Sequence, residues 1–241
     1  MSDGIATIGP LSSTSNCGVC ARPLVYGTEP RAMKCSICGQ ANSTLIFCPE
    51  GHFVCDSCHS KAAVDVLLRV LADTTSSDPM AILEKVMAHP SVPMHGPEHH
   101  GMVPAVLVTA ARNAGYPVPE GAVTRALERG TKVPGGWCGA CGDCGAAVGV
   151  GIAVSVITLA TPLTGKARTL AMGATSAALS QMMDEYPRCC KRASRTAIEA
   201  AIDYFSDKLD ISLPKGEKPR CAYMRRNQEC VSKQCRYYPG E

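Results

Sequence analysis

Aromatic side chains are scarce in this chain. They make up 5% of its 241 residues, with one Trp and three Phe, whereas hydrophobic residues of all kinds make up 46%. The core therefore has to be built from small and aliphatic side chains, which favour close helix packing over a β-sandwich. This composition predicts a mostly α fold, and the length allows a small module followed by a medium-sized domain.

The sequence also has no large excess of positive or of negative residues. The formal net charge is only +3, which does not by itself indicate a nucleic-acid partner. The first residues contain no basic segment followed by an apolar one, so we expect no secretory signal peptide. The sequence has no nucleotide-binding loop. We therefore expect a cytoplasmic protein, in which thiols stay reduced.

Charged residues are absent from Gly145 to Gly165. Length alone would allow a transmembrane helix here. However, Gly, Ser, Thr and Pro interrupt the run, and it begins directly after Cys144. We interpret it as a buried helix that ends at Pro162, packs through Gly149 against a small-residue helix over 166–185, and does not span a membrane.

Cysteine is abundant, with fifteen residues, many of them in pairs separated by two positions. Such pairs are typical of metal sites, and we interpret them as ligands rather than disulfides. Four ligand pairs lie near the N-terminus, and together they predict two zinc sites. The pairs are Cys17/Cys20, Cys35/Cys38, Cys48/His52 and Cys55/Cys58.

The pairing of these ligands has two solutions. The run from Cys35 to Cys58 resembles the first six ligands of a RING finger, but the last pair is missing and Cys17/Cys20 stands upstream instead. A cross-braced arrangement and a sequential, ribbon-like arrangement both fit the spacing, and His59 could replace a ligand. A metal that holds together a segment without a core explains the pattern better than a ubiquitin-ligase role, which would rest on analogy.

A second cluster follows Trp137, where Cys138, Cys141 and Cys144 are separated by two residues each. This spacing is typical of three ligands of a 4Fe–4S cluster, and zinc is the alternative. The vicinal pair Cys189 and Cys190 is expected to supply the fourth thiolate. Basic neighbours and the start of a helix are expected to lower the pKa of the pair and leave the other cysteine as a reactive thiol.

The stretch from about Pro93 to Asp207 resembles a cysteine-rich domain-of-unknown-function family of anaerobic archaea and bacteria. The resemblance is carried by the segments MHGPEHHGMVPAVL, GGWCGACGDCGAAVGVG, TPLTG and PRCCKR. The chain is also distantly similar to the redox-active family named for a C-GCAxxG-C-C signature, although Cys144 and Gly149 are one residue too far apart. These resemblances imply a redox or sulfur-handling role for Cys144, Cys189 and Cys190.

Three further side chains are candidates for catalysis. His95, Glu98 and His99 stand together before a helix. The two histidines could bind one metal, or Glu98 and a histidine could move protons beside the cysteine cluster. Helix capping and surface exposure are the simpler alternative.

The C-terminal tail contains Cys221, Cys230 and Cys235, which we interpret as metal ligands, with basic residues and tyrosines between them. This composition allows binding of single-stranded nucleic acid. Counting gives a second interpretation. Two filled N-terminal sites leave eight cysteines, divided as three, two and three, so each vicinal cysteine could complete a different trio.

The sequence thus predicts a zinc-binding module, ribbon-like or RING-like, followed by a helical domain. We expect a disordered lead over 1–16, the module over 17–59, the helical domain over 60–210 and a basic tail over 211–241. Within the helical domain, helices are expected from Ser60, after an Asp78 cap, over 100–113, over 120–129 and over 189–209.

The leading functional hypothesis is a redox or sulfur-transfer protein of anaerobic metabolism, with zinc and a 4Fe–4S cluster as cofactors and a redox or sulfur-transfer protein as partner. The alternative is a zinc-dependent adaptor that binds protein or nucleic acid without catalysis. Iron content separates the two hypotheses.

Overall fold

The computed structural model describes residues 16, 17, 19, 20 and 22–240. The disordered lead expected over 1–16 lies outside the described residues, apart from Asn16. The chain divides into two compact units, Met1–His59 and Ser60–Glu241.

The first unit contains an antiparallel pair of strands that the sequence analysis did not predict, β1 (Val25–Lys34) and β2 (Ala41–Phe47). Val25 pairs with Phe47, and the register shifts between Tyr26 and Arg31. The first and third ligand pairs directly precede and follow the hairpin, and the second lies in its turn. Gly39 closes that turn with a positive φ of 73°, a conformation that glycine adopts without strain. The hairpin therefore fixes where three ligand pairs emerge from the backbone.

The described residues are mostly helical, as the composition predicts. The eight helices of the described residues are α1 (Asp56–Asp73), α2 (Pro79–Met87), α3 (Glu98–Asn113), α4 (Ala122–Gly130), α5 (Trp137–Ala140), α6 (Gly145–Ile157), α7 (Gly165–Ser180) and α8 (Cys190–Leu209). The short α5 was not expected, and α1 begins before Ser60. The predicted cap is confirmed, since the Asp78 carboxylate accepts hydrogen bonds from the N–H groups of Met80 and Ala81.

Helix α6 is buried, as expected, but it ends at Ile157 rather than at Pro162. Leu159 takes a positive φ of 54°, which does not continue a right-handed helix. No helix among the described residues is both long enough and apolar enough to cross a membrane.

Small residues let α6 approach two neighbouring helices. A β-carbon at Gly151 would collide with Oγ1 of Thr175 and would lie 2.7 Å from the carbonyl oxygen of Ala171, both on α7. The predicted contact between α6 and α7 is therefore confirmed. Its assignment to Gly149 is wrong, because a β-carbon there would lie 2.8 Å from Cδ of Pro104 on α3. One α-helical turn has 3.6 residues, so positions two apart face different neighbours.

Part of the basic tail over 211–241 packs into the second unit. Ile211, Leu213 and Tyr223 belong to the hydrophobic core of the second unit, and Tyr237 is buried as well. Two of the three tyrosines that could have stacked on nucleic-acid bases are thus enclosed by the protein.

Candidate metal centres

The structure gathers the eight N-terminal ligand residues into two groups. Each group has all four ligand atoms within 4.8 Å of one another. The first group is Cys17, Cys20, Cys48 and His52, and the second is Cys35, Cys38, Cys55 and Cys58. The first ligand pair thus joins the third, and the second joins the fourth, which is the cross-braced alternative. His59 is in neither group. These two clusters can bind metal ions.

Sulfur spacing within the groups fits a single small ion. The sulfurs of Cys20 and Cys48 are 3.5 Å apart, and those of Cys38 and Cys55 are 3.6 Å apart. Zinc bonds of about 2.3 Å place two tetrahedral thiolates about 3.8 Å apart. Nδ1 of His52 is buried without a hydrogen-bond partner among the described residues. A nitrogen and three sulfurs in one group, and four sulfurs in the other, form donor sets typical of structural zinc.

The backbone prepares some of these thiols to ionise. The Sγ atom of Cys35 accepts hydrogen bonds from the N–H groups of Cys55, at 3.3 Å, and Ile37, at 3.4 Å. The Cys55 and Cys38 N–H groups lower the pKa of Cys35 to about 6. Its neighbour Cys58 has a pKa raised to about 12, above all by the sulfur of Cys55. Sulfurs this close cannot all be negative unless a cation lies between them.

The three cysteines of the second cluster lie around the start of α6. Cys138 and Cys141 are exposed, and Cys144 is half-buried as the residue that precedes α6. Gly142 between them has a positive φ of 68°, which allows the sharp bend. Burial raises the pKa of Cys144, the N–H groups of Ala146 and Ala147 oppose this, and the charge of Cys138 raises it further. The N–H groups at the start of α6 therefore act on this thiol and favour its ionised form.

The vicinal cysteines face different surroundings. Cys189 precedes α8, and its sulfur accepts a hydrogen bond from the Arg192 N–H at 3.4 Å. Cys190 is the first residue of α8, and its N–H donates to Nδ1 of His95 at 3.5 Å. Burial raises the pKa of Cys190 to about 12, and the charges of Glu98 and Cys144 also raise it. Of the two vicinal thiols, Cys190 is thus the one on which the charge of Cys144 acts.

The expected lowering of the pKa of the vicinal thiols is wrong. Arg192 does act in that direction on Cys189, and Arg188 on Cys190, but burial outweighs both and raises each pKa. An isolated thiol in such a site would stay protonated. The structure therefore gives no support to the interpretation of either cysteine as an activated free nucleophile.

The catalytic candidates separate into two places. His95 lies 3.1 Å from Oδ1 of Asn227 and 3.2 Å from Oε2 of Glu229, both through Nε2. Burial and the charge of Arg188 lower its pKa, although Glu229 opposes them. Glu98 and His99 are 1% exposed and form a pair at 3.0 Å between Oε1 and Nδ1. The structure does not bring His95 and His99 into one ligand group, so a shared metal is not supported.

The segment that carries the tail cysteines contacts α8 through Tyr223, Arg236 and Tyr237. Cys221, Cys230 and Cys235 are half-buried. None of the fifteen cysteines, all of which the structure describes, is in a disulfide. Within the described residues, the tail cysteines and Cys138, Cys141 and Cys144 do not form groups as tight as the two N-terminal ones.

A family model, described as "Family of unknown function (DUF5714)", matches residues 67–238. The chain belongs to this family. The DUF5714 segment contains the eight cysteines from Cys138 to Cys235 and none of the N-terminal ligands. No curated protein and no solved structure gives a significant match.

Proposed function

We propose that the chain is a cytoplasmic metalloprotein of an anaerobe with a redox or sulfur-transfer role. Two zinc ions hold the N-terminal module, in a RING-like cross-brace, and a 4Fe–4S cluster binds Cys138, Cys141, Cys144 and Cys190. The observation that carries the proposal is the position of Cys190, which is half-buried as the first residue of α8. Its N–H donates to His95, and the charge of Cys144 acts on its thiol. This arrangement supplies the fourth thiolate that the three-cysteine turn lacks.

Two helix starts support an anionic cluster at this place. Helices α6 and α8 begin directly at Cys144 and Cys190, and the N-terminal end of a helix stabilises negative charge. Gly145 packs directly on the imidazole of His100, whose Nδ1 lies 2.8 Å from the carbonyl oxygen of Val133. Contacts within the protein thus help to set the direction of α6 and the position of Cys144.

The surrounding side chains suit proton and electron movement. A bound 4Fe–4S cluster would supply one-electron transfer. Because Cys138 and Cys141 are exposed, a redox or sulfur-transfer partner could approach that side. On the other side, His95 accepts a hydrogen bond from Cys190, and Glu98 with His99 forms a buried acid–base pair. We assign proton transfer beside the cluster to these three residues.

Metal analysis of anaerobically purified protein tests the proposal. Wild type should be brown, with broad absorbance at about 400 nm and iron matched by acid-labile sulfide. Cys141→Ser and Cys190→Ser should each lose the same share of iron, about four atoms per chain. Ala140→Ser, a matched change in the same turn, should lose none.

Zinc serves as the internal standard in this experiment. All variants should keep at least the two zinc ions of the N-terminal module, which shows that this module is folded. A colourless wild type that contains zinc alone would contradict the redox proposal and favour the zinc-dependent adaptor. Equal iron in wild type and Cys190→Ser would overturn the assignment of the fourth ligand.

A further inference from the structure

The tail is fastened to α8 by contacts that do not use its cysteines. The Tyr237 hydroxyl lies 3.2 Å from Oγ1 of Thr196, and Nη2 of Arg236 lies 2.7 Å from Oε2 of Glu199. Nζ of Lys191 lies 4.9 Å from the ring centre of Tyr223. Cation–π pairs and hydrogen bonds among buried groups define one arrangement. The tail cysteines are therefore held beside the first turns of α8.

The tail repeats a local feature of the N-terminal ligands. In the sequence Cys-x-x, the N–H of the second residue after the cysteine donates to the cysteine sulfur. This bond measures 3.4 Å at Cys17, Cys35 and Cys48. It measures 3.4 Å again at Cys221, from Tyr223, and at Cys230, from Ser232. Such N–H groups stabilise a thiolate over a thiol, and so favour a metal ligand.

A buried arginine and several cysteines also lie beside the first turns of α8. Arg195, which is 1% exposed, binds the Glu84 carboxylate through two hydrogen bonds of 2.6 and 2.8 Å. Burial lowers the pKa of Arg195, but Glu84 and a hydrogen bond to Cys221 outweigh this and raise it. Burial raises the pKa of Cys189, and the charges of Cys221 and Cys235 raise it further. The Cys221 N–H donates to the carbonyl oxygen of Tyr237 at 2.7 Å, and the Cys235 N–H donates to that of Ser232 at 2.9 Å. Because Tyr237 lies on Thr196 of α8, these bonds hold the tail cysteines close to the helix that Cys189 precedes.

The two vicinal cysteines differ in backbone conformation. Cys189 has extended backbone, with φ −144° and ψ 103°, whereas Cys190 is already helical. The sulfur of Cys189 accepts the Arg192 N–H, and the charges of Cys221 and Cys235 act on it. Cys190 is instead influenced by Glu98 and Cys144. The two side chains therefore have different neighbours at the start of α8.

We propose that Cys189 joins Cys221, Cys230 and Cys235 in a second four-thiolate metal centre, separate from the centre that takes Cys190. Four thiolates suit a soft ion such as zinc or an iron–sulfur cluster. The proposal stands whether or not the other centre has a redox role, because it rests on the contacts of the tail with α8. Cys189 then shares a metal with the three tail cysteines, and neither vicinal cysteine remains a free thiol.

Paired variants of the full chain test this division. Iron, sulfide and zinc are counted per chain in Cys189→Ser, Cys235→Ser and their double variant, and in Cys190→Ser. Cys189→Ser and Cys235→Ser should lose the same metal in the same amount, and the double variant should lose no more. Cys190→Ser should keep that metal. Ser194→Ala, a buried change in α8, should lose nothing.

Alkylation of native protein, mapped by mass spectrometry, guards against general unfolding. Cys189→Ser should expose Cys221, Cys230 and Cys235 to the reagent and leave Cys144 protected. The proposal is overturned if Cys189→Ser keeps the metal that Cys235→Ser loses, or if Cys189→Ser and Cys190→Ser lose the same metal. Alkylation of both trios in Cys189→Ser would also overturn it. Failure of the redox proposal would appear separately, as unchanged iron in Cys141→Ser.

Discussion

The two units use cysteine in opposite ways. Among the described residues up to His59, the buried apolar side chains are Phe47 and four cysteines, and each of these cysteines belongs to a candidate metal group. From Ser60 onward, a continuous core of aliphatic residues fills the space between α3, α6 and α8. In the first unit the ligands take the place of a core, whereas in the second they lie at the ends of helices that already pack. Loss of metal should therefore unfold only the first unit.

The largest effect is expected from a zinc ligand. Cys48→Ser should remove zinc and unfold the β1–β2 hairpin, because structural zinc contributes about 10–16 kcal/mol to the folding of small modules. Limited proteolysis with mass spectrometry should find new cleavage sites within 22–55 and none in α3 or α6. His59→Ala is the control and should retain two zinc ions. If the hairpin still resists protease after zinc is lost, the metal does not take the place of a core in the first unit.

The next effect concerns a buried ion pair of the second unit. Glu84→Gln should lower the free energy of unfolding by about 3 kcal/mol, since it leaves the buried Arg195 guanidinium without its carboxylate. Urea denaturation followed by circular dichroism measures this change. Asp203→Asn removes an exposed pair with Lys215 and should cost less than about 1 kcal/mol. Equal losses in the two variants would show that Arg195 is not buried as described.

The third effect is smaller and concerns the packing of α6 against α7. Gly151→Ala should destabilise the second unit by about 2 kcal/mol, because the added methyl group meets Thr175 and the Ala171 carbonyl group. Thermal unfolding of Gly151→Ala and of the control variant Gly165→Ala measures the difference in stability. At Gly165 an added β-carbon meets no atom within 4 Å. Gly165→Ala should leave stability unchanged or raise it by about 0.4–1 kcal/mol.

The smallest effect is expected where the tail meets α8. Tyr237→Phe removes the hydroxyl that lies 3.2 Å from Thr196 and keeps the ring, so it should cost about 1 kcal/mol. Hydrogen exchange should quicken in the tail and in the first turns of α8, and not in α3. Tyr186→Phe changes a partly exposed tyrosine and should have no such effect. An unchanged exchange rate in Tyr237→Phe would mean that this contact does not hold the tail.

Much of the local structure could be predicted from the sequence. Asp78 followed by Pro79 predicts a helix start, and the uncharged run after Cys144 predicts a buried helix, because both depend on neighbours within a few residues. The end of α6 was misplaced, since a positive φ at Leu159 has no sequence signal of its own. The cysteine spacing does not indicate the β1–β2 hairpin, because its strands pair residues as far apart in the chain as Val25 and Phe47.

The pKa of the vicinal thiols shows a different limit. The basic residues around Cys189 and Cys190 are visible in the sequence and do act as expected on these thiols. Burial opposes them and prevails, and it depends on how the second unit packs around the start of α8. Desolvation is a property of the whole fold, so local charge alone gave the wrong sign.

The sequence by itself determined which residues come in ligand pairs, because a Cys-x-x-Cys turn is local and its spacing is read directly. It also determined the helical class, through a composition with few aromatics. Only the tertiary structure decided which pairs share a group in the N-terminal unit, and which charged groups act on each vicinal cysteine. Those partners are separated by tens of residues, and long-range packing of the hairpin and of the tail on α8 brings them together.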